Sequence, residues 1–311
     1  MARAARDEAP EDAGRPCSLL VVSTALPFLI AEIGCNHGGD LAVAKKMVGV
    51  AAQFCEVAAV KFQKRDPRVL LSEKEYNAPH PNPANSFGAT YGEHREFLEF
   101  DLAQHAELKA AAEAAGVVYS TSVWDVPSAD AMIKLDPDFL KVPSASNLNT
   151  DLLKVLALDY RGDIHVSLGM TTRSEERRLV ELITGWGAAE RLVLYACTSG
   201  YPVPFEDLCL REIERLVADY GDSVKAIGFS GHHLGIAADV AALALGATYF
   251  ERHFTLDRTS KGTDHAASLE PDGLRKLNRD LMAVSKALTL KNQDVLPIEQ
   301  VQRAKLKWEP R

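Results

Sequence analysis

Two lysines stand inside otherwise apolar runs of this chain, Lys61 in "AVKFQ" and Lys141 in "FLKVPS". Burying an ammonium without a partner is costly, so each needs an acid such as Glu32 or an anionic ligand. Serine and threonine hydroxyls at neighbouring run ends extend the second option to a phosphate or phosphocarboxylate. A desolvated lysine is also the nucleophile of a Schiff-base aldolase, and that chemistry stays open at this point. Two histidines, His232 in "FSGHHLG" and His253 in "FERHFTLD", end consecutive apolar runs. If those runs are adjacent strands, the two imidazoles can converge on one divalent metal and leave positions for substrate. His233 is expected to point the other way, because neighbours near a strand end alternate in direction. Two carboxylates complete the set. Glu32 lies in the first run, and Asp264 in "KGTDHAASLEP" reads either as a carboxylate that orients water or sugar hydroxyls or as a turn residue capping "DHAAS".

These groups need a scaffold that brings distant run ends to one rim. Short apolar runs occur at 28–34, 57–63, 117–123, 139–144, 164–170, 191–199, 224–230 and 248–254, separated by amphipathic stretches such as "DLAQHAELKAAAEAAG" and "SEERRLVELITGWG". Strands alternating with helices imply parallel pairing through right-handed crossovers, and eight such units favour closure into an α/β (β/α)8 TIM barrel. The C-terminal ends of barrel strands build the active site. Read in order they supply Glu32 with Asn36 and His37, Lys61 and Gln63, Ser120 to Ser122, Lys141 with Ser144, Ser167, Thr198 to Tyr201, Ser230 with His232, and His253. The connection at 64–100 contains "YNAPHPNPANSFGATYGEHREFLEF", too long and too rich in Pro and Asn for a turn. It is expected to hang over the barrel mouth, with Tyr91, Glu93, His94 and Arg95 facing a ligand.

The chain has 311 residues, 47% of them hydrophobic, with a formal net charge of −8 and no dense run of Lys and Arg. Such a balance predicts an ordinary globular core and no nucleic-acid or membrane partner. Five cysteines, without a CxxC pair, read as reduced thiols of a cytoplasmic protein. Residues 17–31 could pass for a signal segment, but acidic residues precede them and Pro27 interrupts them. The expected organisation is an irregular head at 1–16, a barrel at 17–290 and a mixed-charge tail at 291–311.

The stretches "IAEIGCNHGGD", "VKFQ", "YGEHR", "STSVWD", "KVPSAS", "VSLGM", "CTSGYPVP", "GFSGHHLGIA" and "ERHFTLDRTSKGTDHAASLEP" together resemble the sialic acid synthase family, the phosphoenolpyruvate-dependent nonulosonate synthases. They follow the family's order across the barrel. The resemblance implies condensation of phosphoenolpyruvate with the open-chain aldehyde of a sugar, assisted by Mn2+ or a similar divalent ion such as Mg2+ or Co2+. His232 and His253 would hold the metal. Lys61, Gln63, Thr121, Lys141, Ser144, Ser167, Ser199 and Ser230 would surround the phosphoenolpyruvate, with Tyr201 nearby, Glu32 handling water or a proton, and Asp264 contacting the sugar. A homodimer is also implied. The chain departs from the family at Ser199, where Asn is frequent, at Gly231, where Asp is, and at Ser146, where Glu is. No C-terminal antifreeze-like domain is expected. A catalytically silent barrel that binds a phosphosugar is the remaining alternative.

Overall fold

Side chains along a strand point alternately to opposite faces, and in this chain the alternation separates an apolar layer from a polar one. The computed structural model describes residues 26–308; the expected head at 1–16, the first part of the expected barrel and the last three residues lie outside that range. Eight strands run β1 (Phe28–Gly34), β2 (Ala59–Lys64), β3 (Val118–Val123), β4 (Phe139–Val142), β5 (Asp163–Ser167), β6 (Leu192–Cys197), β7 (Ala226–Gly231) and β8 (Tyr249–His253). Each pairs in parallel with the next, and β8 returns to β1, so the sheet closes. The (β/α)8 barrel expected from the sequence is the fold of the chain.

The helices are α1 (Leu41–Gln53), α2 (Pro67–Leu70), α3 (Glu73–Tyr76), α4 (Tyr91–Phe97), α5 (Leu102–Ala115), α6 (Val126–Ile133), α7 (Thr150–Asp159), α8 (Arg173–Gly185), α9 (Glu212–Tyr220), α10 (Ala237–Ala244), α11 (Pro271–Ala287) and α12 (Pro297–Leu306). Outward strand residues such as Ile33, Phe62, Leu140 and Phe250 join Met47, Leu108, Leu156 and Leu281 of the helices in one continuous core. Inside the barrel, Ile30, Ala59, Phe139, Val193 and Tyr195 form a separate plug. Above it the inward positions become polar. Local signals set the helix ends: Asp101 and Gln104 close a reciprocal cap on α5, and Gly116, at φ +78°, ends that helix in the left-handed conformation that glycine adopts without penalty.

The long connection after β2 is not irregular throughout. It folds into α2, α3 and α4, each opened by a side-chain cap from Asp66, Ser72 or Thr90. Gly92 in α4 sits against Tyr76 of α3, where a Cβ would fall 2.1 Å from the ring. The mixed-charge tail after α11 carries α12. Pro297 opens that helix and the Glu299 carboxylate accepts the Leu296 N–H at 2.8 Å. Its apolar residues Ile298, Val301 and Leu306 are exposed, so it lacks the buried stripe by which the other helices show themselves. Among the described residues no helix is long and apolar enough to cross a membrane.

Candidate active site

The polar inward layer lines a cavity of about 330 Å³ at the C-terminal mouth of the barrel. Its floor is a chain of alternating charge. Lys61 pairs with Glu32 and donates to the Ser122 hydroxyl at 2.6 Å. Glu251 lies 3.7 Å from Lys61 and accepts from Lys141 at 2.6 Å. All four charged groups are buried. Strand register explains the proximity, since Glu32 lies beside both Lys61 and His253, and Ser122 beside Lys141. Burial alone would raise the Glu251 pKa, but Lys141 and then Lys61 outweigh it and hold the carboxyl at about 2. Lys141 is pushed below its ordinary value by burial, with Glu251 pulling the other way. From below, the Tyr195 ring lies 4.5 Å from the Lys141 ammonium, and the Tyr195 hydroxyl bonds His165 at 2.9 Å.

Serine hydroxyls form one wall. Ser144 accepts the Gly169 N–H at 3.0 Å. A Cβ at Gly169 would lie 2.3 Å from the Ser199 hydroxyl and 2.7 Å from that of Ser144; glycine is what lets these two hydroxyls close on the same backbone. Ser230 donates to Glu251 at 3.3 Å, and Ser167 Oγ is buried with no hydrogen-bond partner among the described residues. Gln63 donates to the free oxygen of Glu32 at 3.0 Å and so fixes the carboxylate plane.

Opposite stand the histidines. The His232 and His253 ring centres are 5.5 Å apart, and the Tyr201 ring packs 4.3 Å from His232. Burial, then the neighbouring His253, pushes the His232 pKa down to about 3, so the ring is neutral. Its Nδ1 faces the Thr198 carbonyl at 3.1 Å and must donate there, which leaves the lone pair on Nε2. Among the described residues His253 Nδ1 is buried without a hydrogen-bond partner, 3.9 Å from an Asp264 oxygen. These two imidazoles are the residues that could hold a cation. Two imidazoles are fewer donors than a closed structural site needs and would leave positions for water and substrate; among the described residues no cluster of three or more His, Cys, Asp or Glu side chains is arranged for a metal.

Of the residues singled out from the sequence, Glu32, Lys61, Gln63, Lys141, Ser144, Ser167, Ser199, Tyr201, Ser230, His232 and His253 all line the cavity. Asp264 borders it beside His253, and its side chain makes no cap bond. Thr121 is a correction. It points outward from β3, where its hydroxyl meets that of Tyr119 at 2.8 Å under α5; Ser122 takes the inward position. The strand itself carries the signal, because Tyr119, Thr121 and Val123 make the more apolar face and Ser120 and Ser122 the polar one. Asn36 and His37 also serve structure: Asn36 donates to the Phe254 carbonyl at 2.9 Å, and His37 stacks on Phe100. His233 points away and is fully buried. Tyr91, Glu93, His94 and Arg95 do not line the cavity; His94 is buried, and Arg95 bonds Tyr91 while its guanidinium lies 5.5 Å from the Trp124 ring. Sequence reasoning missed Trp124 and Glu251, both of which line the cavity. Glu251 lies two residues before His253 on the same strand face, which was the available signal. The described cysteines, Cys35, Cys55, Cys197 and Cys209, form no disulfide.

Closed barrel and site together define a (β/α)8-barrel enzyme whose mouth sets two buried ammonium groups and a row of hydroxyls against an imidazole pair. The profile described as the NeuB family matches residues 47–293, and the chain belongs to that family. It is 38% identical over 279 residues to human N-acetylneuraminate-9-phosphate synthase, covering 90% of this chain and 76% of that one. Identity to the N,N'-diacetyllegionaminic acid synthase of Campylobacter jejuni is 34%, over 84% and 77% of the two chains. A crystal structure of N-acetylneuraminic acid (sialic acid) synthetase from Leptospira borgpetersenii, in complex with citrate, superimposes with a TM-score of 0.77 at 28% identity, covering 92% of this chain and 94% of that one.

Proposed function

We propose that the protein condenses phosphoenolpyruvate with the open-chain aldehyde of an N-acetylmannosamine-like sugar, giving a 2-keto-3-deoxy sugar acid and phosphate. The observation that carries this reading is the buried Lys61–Glu251–Lys141 array facing His232 and His253 across one small cavity. Kinship with sialic and legionaminic acid synthases supports the same chemistry.

In this reading Lys61 and Lys141, with the Ser144, Ser167, Ser199 and Ser230 hydroxyls, bind the phosphate and carboxylate of phosphoenolpyruvate. The C2=C3 double bond of the enol phosphate breaks as C3 bonds to the aldehyde carbon, which leaves C2 as an oxocarbenium-like centre, and the aldehyde oxygen takes up the C=O electron pair and a proton from solvent. Water adds to C2 with Glu32, held in orientation by Gln63, receiving its proton. Collapse of the tetrahedral C2 centre breaks its bond to the phosphate oxygen and leaves a ketone, so carbon–oxygen rather than phosphorus–oxygen cleavage releases phosphate. Asp264, beside His253, orients the sugar. A divalent ion, Mn2+ by preference, would be held by the lone pairs of His232 and His253 and would supply electrophilic stabilisation of the aldehyde oxygen. The protein is read as a cytoplasmic homodimer.

The test is phosphate release from phosphoenolpyruvate across a panel of aldoses, with and without chelator. Release that needs both an aldose and the metal, and that falls at least 100-fold in His232→Ala, is expected. No release with any sugar sinks the proposal, as does a borohydride-trapped lysine adduct that forms regardless of chelator.

A further inference from the structure

The cavity explains Glu251 and His253 on β8 but not the residue between them. Strand alternation sends Arg252 outward, behind the barrel wall, and it is among the largest fully buried side chains of the protein. Resting on the metal-holding role proposed for His232, we infer that Arg252 and Asp239 are positioning residues that fix this imidazole through the loop that carries it.

That loop, residues 232–236, joins β7 to α10 without regular structure. The Arg252 guanidinium donates to the His233 carbonyl at 2.6 Å and to the Gly235 carbonyl at 2.9 Å. It also donates to the Asp239 carboxylate in the first turn of α10 at 2.5 Å. Arg252 and Asp239 are both fully buried, so each charge depends on the other. One planar fork therefore ties two carbonyls of a single loop to a helix, a task that the point charge of a lysine cannot perform. The register supports the geometry, because Gly231 of β7 lies directly beside Arg252 of β8. His233 closes the remaining freedom: its ring packs so tightly under Gly231 that a Cβ there would lie 3.0 Å away. His232 sits between these two fixed points, with its own carbonyl accepting the Val203 N–H at 3.1 Å. Its imidazole can then meet the Thr198 carbonyl with Nδ1 and offer Nε2 to the cavity without ordering the loop when a cation arrives. Outer residues that orient a ligating histidine commonly contribute about 10- to 100-fold in metal affinity.

The experiment titrates Mn2+, alone, into the full chain and reads free ion by electron paramagnetic resonance. Arg252→Lys, which keeps the cation but not the fork, and Asp239→Asn, which keeps the shape, are compared with Leu281→Ala, a truncation of a buried core residue in α11, all at a temperature where thermal scans show them folded. Weakening of Mn2+ binding by about 10-fold or more in both loop variants, with no change in Leu281→Ala, is the expected result. Asp239→Asn carries the test if Arg252→Lys does not fold. Unchanged affinity in the loop variants, or an equal loss in Leu281→Ala, overturns the positioning role and leaves the proposed function standing. A wild-type chain that binds no Mn2+ overturns the metal reading and this inference together.

Discussion

Glu251 supplies the anion between two buried ammonium groups, and its removal separates the demands of stability from those of ligand binding. Glu251→Gln leaves Glu32 to Lys61 and takes from the buried Lys141 its carboxylate partner, so the ligand-free protein is expected to lose about 3 kcal/mol, the usual cost of breaking a buried pair. An anionic ligand restores the missing charge. Phosphoenolpyruvate should therefore raise the thermal midpoint of Glu251→Gln by more than it raises that of the wild type, which thermal scans with and without ligand will show. An equal shift in the two proteins would mean that the ligand does not sit on the lysines. Sequence reading reached both lysines and named an acid partner, Glu32, because an ammonium in an apolar strand announces its need. Glu251 stayed hidden, since a carboxylate next to an arginine in "FERHF" reads as a local pair until the strand is seen to split them, one inward and one outward.

At the scale of elements, the excursion between β2 and α5 turns a motif into packing. "YGEHR" reads as chemistry in the sequence, yet its glycine is explained by contact: the α4 backbone at Gly92 rests on the Tyr76 ring of α3. Gly92→Ala would drive a methyl into that ring at 2.1 Å. A destabilisation of about 1 to 3 kcal/mol, confined to this excursion, is expected. Hydrogen exchange should quicken across 73–97 while the barrel strands keep their protection; uniform acceleration through the barrel would show that the excursion does not unfold separately. The motif carried no sign of this, because tertiary contact between two four- to seven-residue helices leaves no periodicity to read.

Across the whole molecule, buried histidines set the response to acid. Burial pushes His105 down to about 3 and His37 down to about 4, so both stay neutral in the folded chain. Unfolded, each takes up a proton below its ordinary value of about 6.5. The unfolded state thus binds more protons between about 6.5 and 4, and stability falls as pH falls through that window, each histidine contributing up to about 1.4 kcal/mol per pH unit. Glu251, held at about 2, adds to the loss between its ordinary value of 4.5 and about 2, where the unfolded carboxyl is protonated and the folded one is not. Denaturant unfolding at pH 7, 6 and 5 should show the decline, and His105→Gln, which can still bond Tyr119, should lower the slope by about one proton. A flat profile would contradict the buried, neutral state of these rings.

The barrel was legible because its signal is repeated: eight apolar runs at similar spacing, each followed by an amphipathic stretch, admit few other arrangements. The rim residues were legible for a related reason, since polar side chains at the ends of buried strands are conspicuous against their neighbours. Sequence alone set His233 on the far face but left open which face most of the other rim residues present. Thr121 and Ser122, or Glu251 and Arg252, differ by one position, and a single step along a strand exchanges the cavity for the helix layer. Strand pairing, barrel closure and the packing of α10 against β7 and β8 made that choice, because a side chain's direction depends on what covers each face of the sheet, and the covering elements come from distant parts of the chain.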